Sequence, residues 1–333
     1  MTTLLEYREK LTRFYGKNEV YVLPVIKFVV ALVTFLLING NIGYMKQISS
    51  VPVALILALV CSILPINGTL IIAALVIVAD FYVLSVEVCL TAIAMFIIIY
   101  FIYFRFTPKN GYNALLTPIC FKLHIPYVMP VGVGLLREAY SVFSIVCGTV
   151  IFFFLDGVRE NATLLSENAE EGTGAASKVV IALNQLFGNK EMYLAIGVML
   201  VATLIVYFVR RLSIDHAWSI AILAGILFEI VAFFTGYILL GISGKTLWLI
   251  IGNIISFAIS FAIQFLFFDL DYSRTEHLQF EDDEYYYYVK AVPKVYVSGS
   301  DKQVKHFNKK EETEKLNKKK FAEEMEIDEN LFD

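Results

Sequence analysis

Residues 116–138 read LTPICFKLHIPYVMPVGVGLLRE, too apolar for a loop yet carrying Pro118, Pro126, Pro130, Gly132 and Gly134. Proline has no N–H to give to a continuous helix and pushes the residue before it out of the helical region. A spanning helix needs roughly 20 apolar residues in unbroken register, because lipid offers no partner to a bare backbone. The stretch therefore reads as a re-entrant hairpin, or a pair of half-helices, turning near Pro126 and Pro130 with Gly132 and Gly134 at the turn. Such backbone is tolerated at membrane depth only where protein or a water-filled cavity surrounds it.

Whether this segment crosses or folds back decides the sidedness of everything around it. Eight apolar runs flank it: 22–40, 51–64, 68–84 and 86–104 before, then 139–155, 192–209, 217–240 and 247–268 after. Basic residues in short loops are retained in the cytoplasm. Arg8, Lys10, Arg13 and Lys17 place the N-terminus there, and Arg105 with Lys109 and the pair Arg210–Arg211 belong on the same side. The segment 156–189 carries Asp156, Glu160, Glu167, Glu170 and Glu171 and reads as an acidic outer loop. These placements agree only if the chain enters and leaves residues 112–138 on one side. The expected architecture is an all-α polytopic membrane protein of about eight transmembrane helices and one re-entrant hairpin. Its weak point is 51–64, short for a crossing.

Composition agrees. Hydrophobic residues make up 58% of the 333 and charged residues 17%, against roughly a quarter charged in an ordinary soluble domain. The chain divides into an amphipathic cytoplasmic segment at 1–21, a transmembrane domain at 22–270, and a charged cytoplasmic tail at 271–333. In the first segment Thr3 and Glu6 have capping-box spacing, and apolar residues recur at helical spacing up to Gly16. In the tail, the tyrosine- and valine-rich 285–297 favours a β-hairpin. The lysines from 302 to 320, followed by the acidic end, read as a solvated, partly disordered tail. The four cysteines all lie in apolar runs without CxxC spacing and read as packing residues. The net charge of −4 comes with no basic face, so nucleic acid is not an expected partner.

Ionisable groups at membrane depth are functional candidates by default. Glu229 stands deepest, following Ala217, Ala221 and Gly225 at four-residue intervals, a small-residue stripe suited to close helix packing. In the last span Asn253, Ser256, Ser260 and Gln264 share one helical face. The short connection makes these two helices antiparallel neighbours, with Glu229 and Asn253 at similar depth. The group lines a polar path or fastens helices together. Asp80 and Glu87 flank a turn and read as solvated carboxylates, while Ser213 or Asp215 is placed to cap the helix that begins near Ala217. Arg137 and Glu138 mark the exit of the hairpin and have lipid headgroups or each other as partners.

No HExxH, GxSxG or Walker-type motif occurs, and the four histidines are scattered. No catalytic, cofactor or metal site is expected. The functional expectation is a transporter- or permease-type component of the cell membrane moving a small solute or ion. The alternative is a scaffold recruiting a cytosolic protein through residues 281–333. An intramembrane lipid or glycan enzyme, for which Asp80, Glu87, Asp215 and His216 are the candidates, ranks below both. The bilayer is the one partner the composition requires.

Overall fold

The structure is a computed structural model that describes residues 2–165, 175–212, 214, 216–242, 244–267, 276–281 and 286–291. Residues 7–268 form one compact unit, and residues 1–6 with 269–333 form another. Among the described residues, seven helices are long and apolar enough to cross a membrane. The chain is an all-α polytopic membrane protein, in contact with lipid along those helices.

The first helix, α1 (Thr2–Asn41), runs through both the expected surface segment and the first span, interrupted only by non-helical backbone at Asn18. Gly16 does not end it, and Pro24 lies inside it. Tyr7, Leu11, Phe14 and Tyr15 are exposed, an apolar stripe of the kind that lies on a membrane surface.

Helix α2 (Val51–Ile63) is the short run, bounded by Pro52 in its first turn and Pro65 just beyond its end. Its 13 residues reach about 20 Å at 1.5 Å each, less than a hydrocarbon core of about 30 Å. It nevertheless carries the chain between the two ends of the bundle. At its start, the Met45 N–H donates to Asp80 Oδ1 at 2.8 Å, near the close of α3 (Ile66–Leu84). At its finish, Lys27 Nζ donates to the Leu64 carbonyl at 3.1 Å. There Asn67 donates to the Pro108 carbonyl at 2.9 Å and accepts the Tyr103 hydroxyl at 2.9 Å, beside the end of α4 (Val86–Phe106).

The decisive stretch folds back. Helix α5 (Gly111–Lys122) and helix α6 (Val128–Leu136) are half-helices joined by a turn in which His124 takes φ 60. Asn110, before α5, donates to the Ser141 hydroxyl at 2.8 Å, just ahead of α7 (Val142–Glu160). Phe106 stacks on Phe143 with centroids 4.5 Å apart. The chain thus enters and leaves the hairpin at one place. The turn lies at residues 123–127, and Pro126 is in it. Pro130 is not: it is the third residue of α6, where a helix has no use for its missing N–H.

The expected outer loop at 156–189 is largely helical. Helix α7 continues to Glu160, α8 (Ala162–Leu165) follows, and α9 (Ala175–Phe187) packs on α4 and α7. Its acidic residues Glu167, Glu170 and Glu171 lie outside the described residues. The bundle closes with α10 (Lys190–Arg210), α11 (Ala217–Leu240) and α12 (Thr246–Phe267). Ser213 and Asp215 lie outside the described residues. The residue before α11 is His216, in left-handed backbone with no side-chain cap.

Two ends can be told apart by bonds alone. Arg210 donates to the carbonyls of Leu135, and of Arg137 at 2.8 Å, gathering Arg137 and Arg210 with Asn110 and Ser141 at one end. Arg159 donates to Asn41 at 3.1 Å and Gln185 to Glu160 at 3.5 Å, gathering α7, α9 and Asp80 at the other. In the second unit β1 (Glu276–Glu281) pairs antiparallel with β2 (Tyr286–Ala291), from Glu276 opposite Ala291 to Glu281 opposite Tyr286. The lysine-rich and terminal segments lie outside the described residues.

Candidate functional site

Helix α6 is buried along Val128 to Leu135, with α10, α11 and α12 packed around it. That enclosure is what a nine-residue helix in hydrocarbon requires. Small residues set the spacing. A Cβ on Gly134 would sit 2.8 Å from Val206 Cβ on α10, and one on Gly252 would sit 2.6 Å from the Tyr127 ring. Gly132 leaves ordinary contact with Ile263 of α12, at 3.4 Å. The contacts of Gly252 and Ile263 bracket Asn253, Ser256 and Ser260. Because residues four apart share a helical face, Ser256 and Ser260 follow Gly252 on the side of α12 that meets α6.

Glu229 arrives from α11 by the same logic. Gly225, one turn earlier, lies against Val206 and against Val131 of α6. Helix α11 runs opposite to α6, so Glu229 reaches the depth of Tyr127, the residue before α6, and Tyr127 lies within its electrostatic reach. The Ser219–Gln264 pair fixes the register of α11 against α12 at 2.9 Å. Ten residues on from Ser219 is Glu229; ten back from Gln264 is Ile254. Glu229 and Asn253 therefore share a level, as the sequence suggests.

The site is defined by polar atoms without partners. Glu229 is 0% exposed, and neither carboxylate oxygen has a hydrogen bond. Asn253 donates to the Leu249 carbonyl at 2.9 Å, leaving its Oδ1 bare, and the hydroxyls of Ser256 and Ser260 are bare too. Other buried hydroxyls are satisfied within their own helices, as Thr117, Thr149 and Thr203 are by the carbonyls of Asn113, Ile145 and Met199, although those of Ser49 and Thr69 are bare. Of the ten buried side-chain polar atoms without partners among the described residues, five belong to Glu229, Asn253, Ser256 and Ser260. Gln264 is not part of this group: it is spent on Ser219 near the opposite end of the helix.

Other candidates resolve differently. Asp80 is 0% exposed rather than solvated, because its Oδ1 takes the Met45 N–H and so holds the loop after α1. Glu87 accepts the Ser85 hydroxyl. Arg137 offers only its carbonyl, to Arg210, while Glu138 accepts the Tyr207 hydroxyl at 3.2 Å. The four cysteines are free and buried, in keeping with packing. Among the described residues no cluster of histidine, cysteine or carboxylate side chains could hold a metal ion.

Sequence reasoning passed over two features. Lys122, a lone cation inside an apolar run, donates to Asn41 at 2.6 Å. His124 lies on Trp248 with ring centroids 4.7 Å apart, tying the hairpin tip to the first turn of α12. The lysine was detectable as the one charge inside 116–136; the His124 contact depends on a separation of more than a hundred residues.

The fold and this buried polar layer define an integral membrane protein. No family model matches the chain, and no curated protein or solved structure matches it.

Proposed function

We propose that the protein is a transport-type component that passes a proton, a small cation or a small polar solute across the bilayer at the junction of α6, α11 and α12. The observation that carries this reading is Glu229: wholly buried, with neither oxygen partnered, beside further bare acceptors on α12. An ionised carboxylate in hydrocarbon is costly without a partner, so this arrangement calls for something to neutralise it. The broken element supports the reading, since the first turn of α6 is enclosed among α10, α11 and α12, where backbone and a helix end can meet a substrate. Packing alone explains the polar layer less well, because atoms that fasten helices bond to each other and these do not.

The cytoplasm is proposed to lie at the Arg210 end, following the basic residues, and the membrane to be the cell membrane. The test is flux in proteoliposomes, with an internal pH dye for protons and a sodium dye for Na⁺, under an imposed potential. Wild type is expected to conduct one of the two, Glu229→Gln to lose at least about tenfold of that flux, and Glu229→Asp to keep part of it. Equal flux in Glu229→Gln removes Glu229 from the mechanism, and wild-type vesicles no leakier than empty ones remove the transport of either ion.

A further inference from the structure

A groove of about 620 Å³ lies between α1, α3, α4, α5 and α7, within the range of roughly 300–1,000 Å³ of small-ligand sites. Its wall runs from Tyr103 and Phe104 near one end of the bundle to Asn41 and Lys122 at the other. Leu75, Ile97 and Phe101 line it and are exposed, so it faces the lipid side of the bundle rather than the interior. Almost the whole wall is apolar. The exception is its Asn41 end, where Lys122 Nζ at 2.6 Å and an Arg159 guanidinium nitrogen at 3.1 Å both donate to the single Asn41 Oδ1.

Two cations on one neutral oxygen are under-neutralised. Among the described residues neither forms an ion pair. Glu160, next to Arg159, is turned to Gln185, and Asp80, whose Oδ1 takes the Met45 N–H and whose Oδ2 is bare, pairs with neither cation. The Tyr44 phenol completes the surround: burial pushes its pKa up, the Arg159 charge opposes that, and the Asp80 charge adds to it. Asn41 is the last residue of its span. This cation pair therefore stands at the level where headgroups lie, at the end of an apolar groove. Bulk lipid needs no such pair; a phosphate does, because a charge-assisted contact to each cation replaces a shared neutral one.

We propose that this groove binds one anionic phospholipid, an acyl chain along α3 and α4 and the phosphate on Lys122 and Arg159. The site is separate from the Glu229 layer and does not rest on its role. The test is native mass spectrometry and thermal unfolding of the full chain in detergent, titrated with phosphatidylglycerol, phosphatidylcholine or glycerol phosphate. One phosphatidylglycerol is expected to stay bound and to raise Tm, while phosphatidylcholine and glycerol phosphate do neither. The double variant Lys122→Gln with Arg159→Gln is expected to lose at least about tenfold of the preference for phosphatidylglycerol. Ile97→Trp, which fills the groove and leaves both cations, is expected to lose binding of phosphatidylglycerol itself, and so tests the site even if the double variant does not fold. Arg105→Gln with Lys109→Gln, at the opposite end, is expected to change nothing. Equal binding of the two lipids by wild type, an undiminished preference in the double variant, or stabilisation by glycerol phosphate alone overturns the proposal.

Discussion

A single carboxylate can serve structure or chemistry, and its partners say which. Asp80 and Glu229 are both 0% exposed, but Asp80 has its Oδ1 on a backbone N–H across 35 residues of chain, whereas both oxygens of Glu229 are bare. Replacing Asp80 by Ala strands the Met45 N–H, and a buried donor without a partner costs about 1–3 kcal/mol. Asp80→Asn keeps an acceptor oxygen and is expected to stay within about 1 kcal/mol of wild type. Unfolding in detergent compares the two; an Ala variant that melts with wild type would show that the bond does not hold the loop. The sequence places Glu229 at membrane depth and reads Asp80, beside a turn, as solvated, so it misses the burial of Asp80. The Asp80 partner belongs to a loop whose path is set by how α1 and α3 pack, which no local pattern encodes.

At the level of the element, prolines and glycines in the hairpin do different things according to position. Pro130 is the third residue of α6, so Pro130→Ala restores an N–H that the helix does not need and is expected to shift stability by less than about 1 kcal/mol. Pro118 is the eighth residue of α5 and leaves the Ala114 carbonyl without its helical donor. Gly148 of α7 lies over that carbonyl: a Cβ there would meet Ala114 O at 3.0 Å, Thr117 Cβ at 2.7 Å and Pro118 Cδ at 3.2 Å. Gly148→Leu is accordingly expected to force α5 off α7 and destabilise by about 1–3 kcal/mol or more. A Gly148→Leu variant with wild-type unfolding would mean that the two helices are not in close contact. The broken helix was legible in 116–138 because five prolines and glycines interrupt it. The exact turn was not, since Pro126 and Pro130 carry the same local signal and only the surroundings of α6 distinguish them.

Across residues 7–268, hydrogen bonds segregate to two ends of the bundle. Lys109, Arg137 and Arg210 gather at one end with the mouth of the hairpin, and residues 156–160 with α9 gather at the other. That arrangement, fixed by hydrogen bonds, is the one the charge pattern of the loops demands. In a cysteine-free background, a single cysteine at Asn161 is expected to react with an impermeant thiol reagent in intact cells, and one at Leu212 only after permeabilisation. The reverse pattern would invert the protein in its membrane, and labelling of both from outside would refute the fold-back. The fold-back and seven of the eight expected spans could be read from apolar length, proline and loop charge, which are local quantities; 51–63 is too short to count among helices long enough to cross. Helix neighbours not joined by a short connection, as α11 and α12 are, could not, because in lipid they are chosen by small residues such as Gly134, Gly225 and Gly252 meeting side chains far away in sequence.

The half-helices also constrain the order of assembly. Helices α5 and α6 have 12 and nine residues, so neither is a stable transmembrane segment alone. The helices that enclose α6, namely α10, α11 and α12, are synthesised some fifty to one hundred and thirty residues later. Until they emerge, the hairpin must wait at the membrane surface or be held by the insertion machinery, and only then sink between partners made after it. A nascent chain stopped before α10 would thus present an unsheltered apolar hairpin, which makes this segment the natural point for quality control of the protein to act.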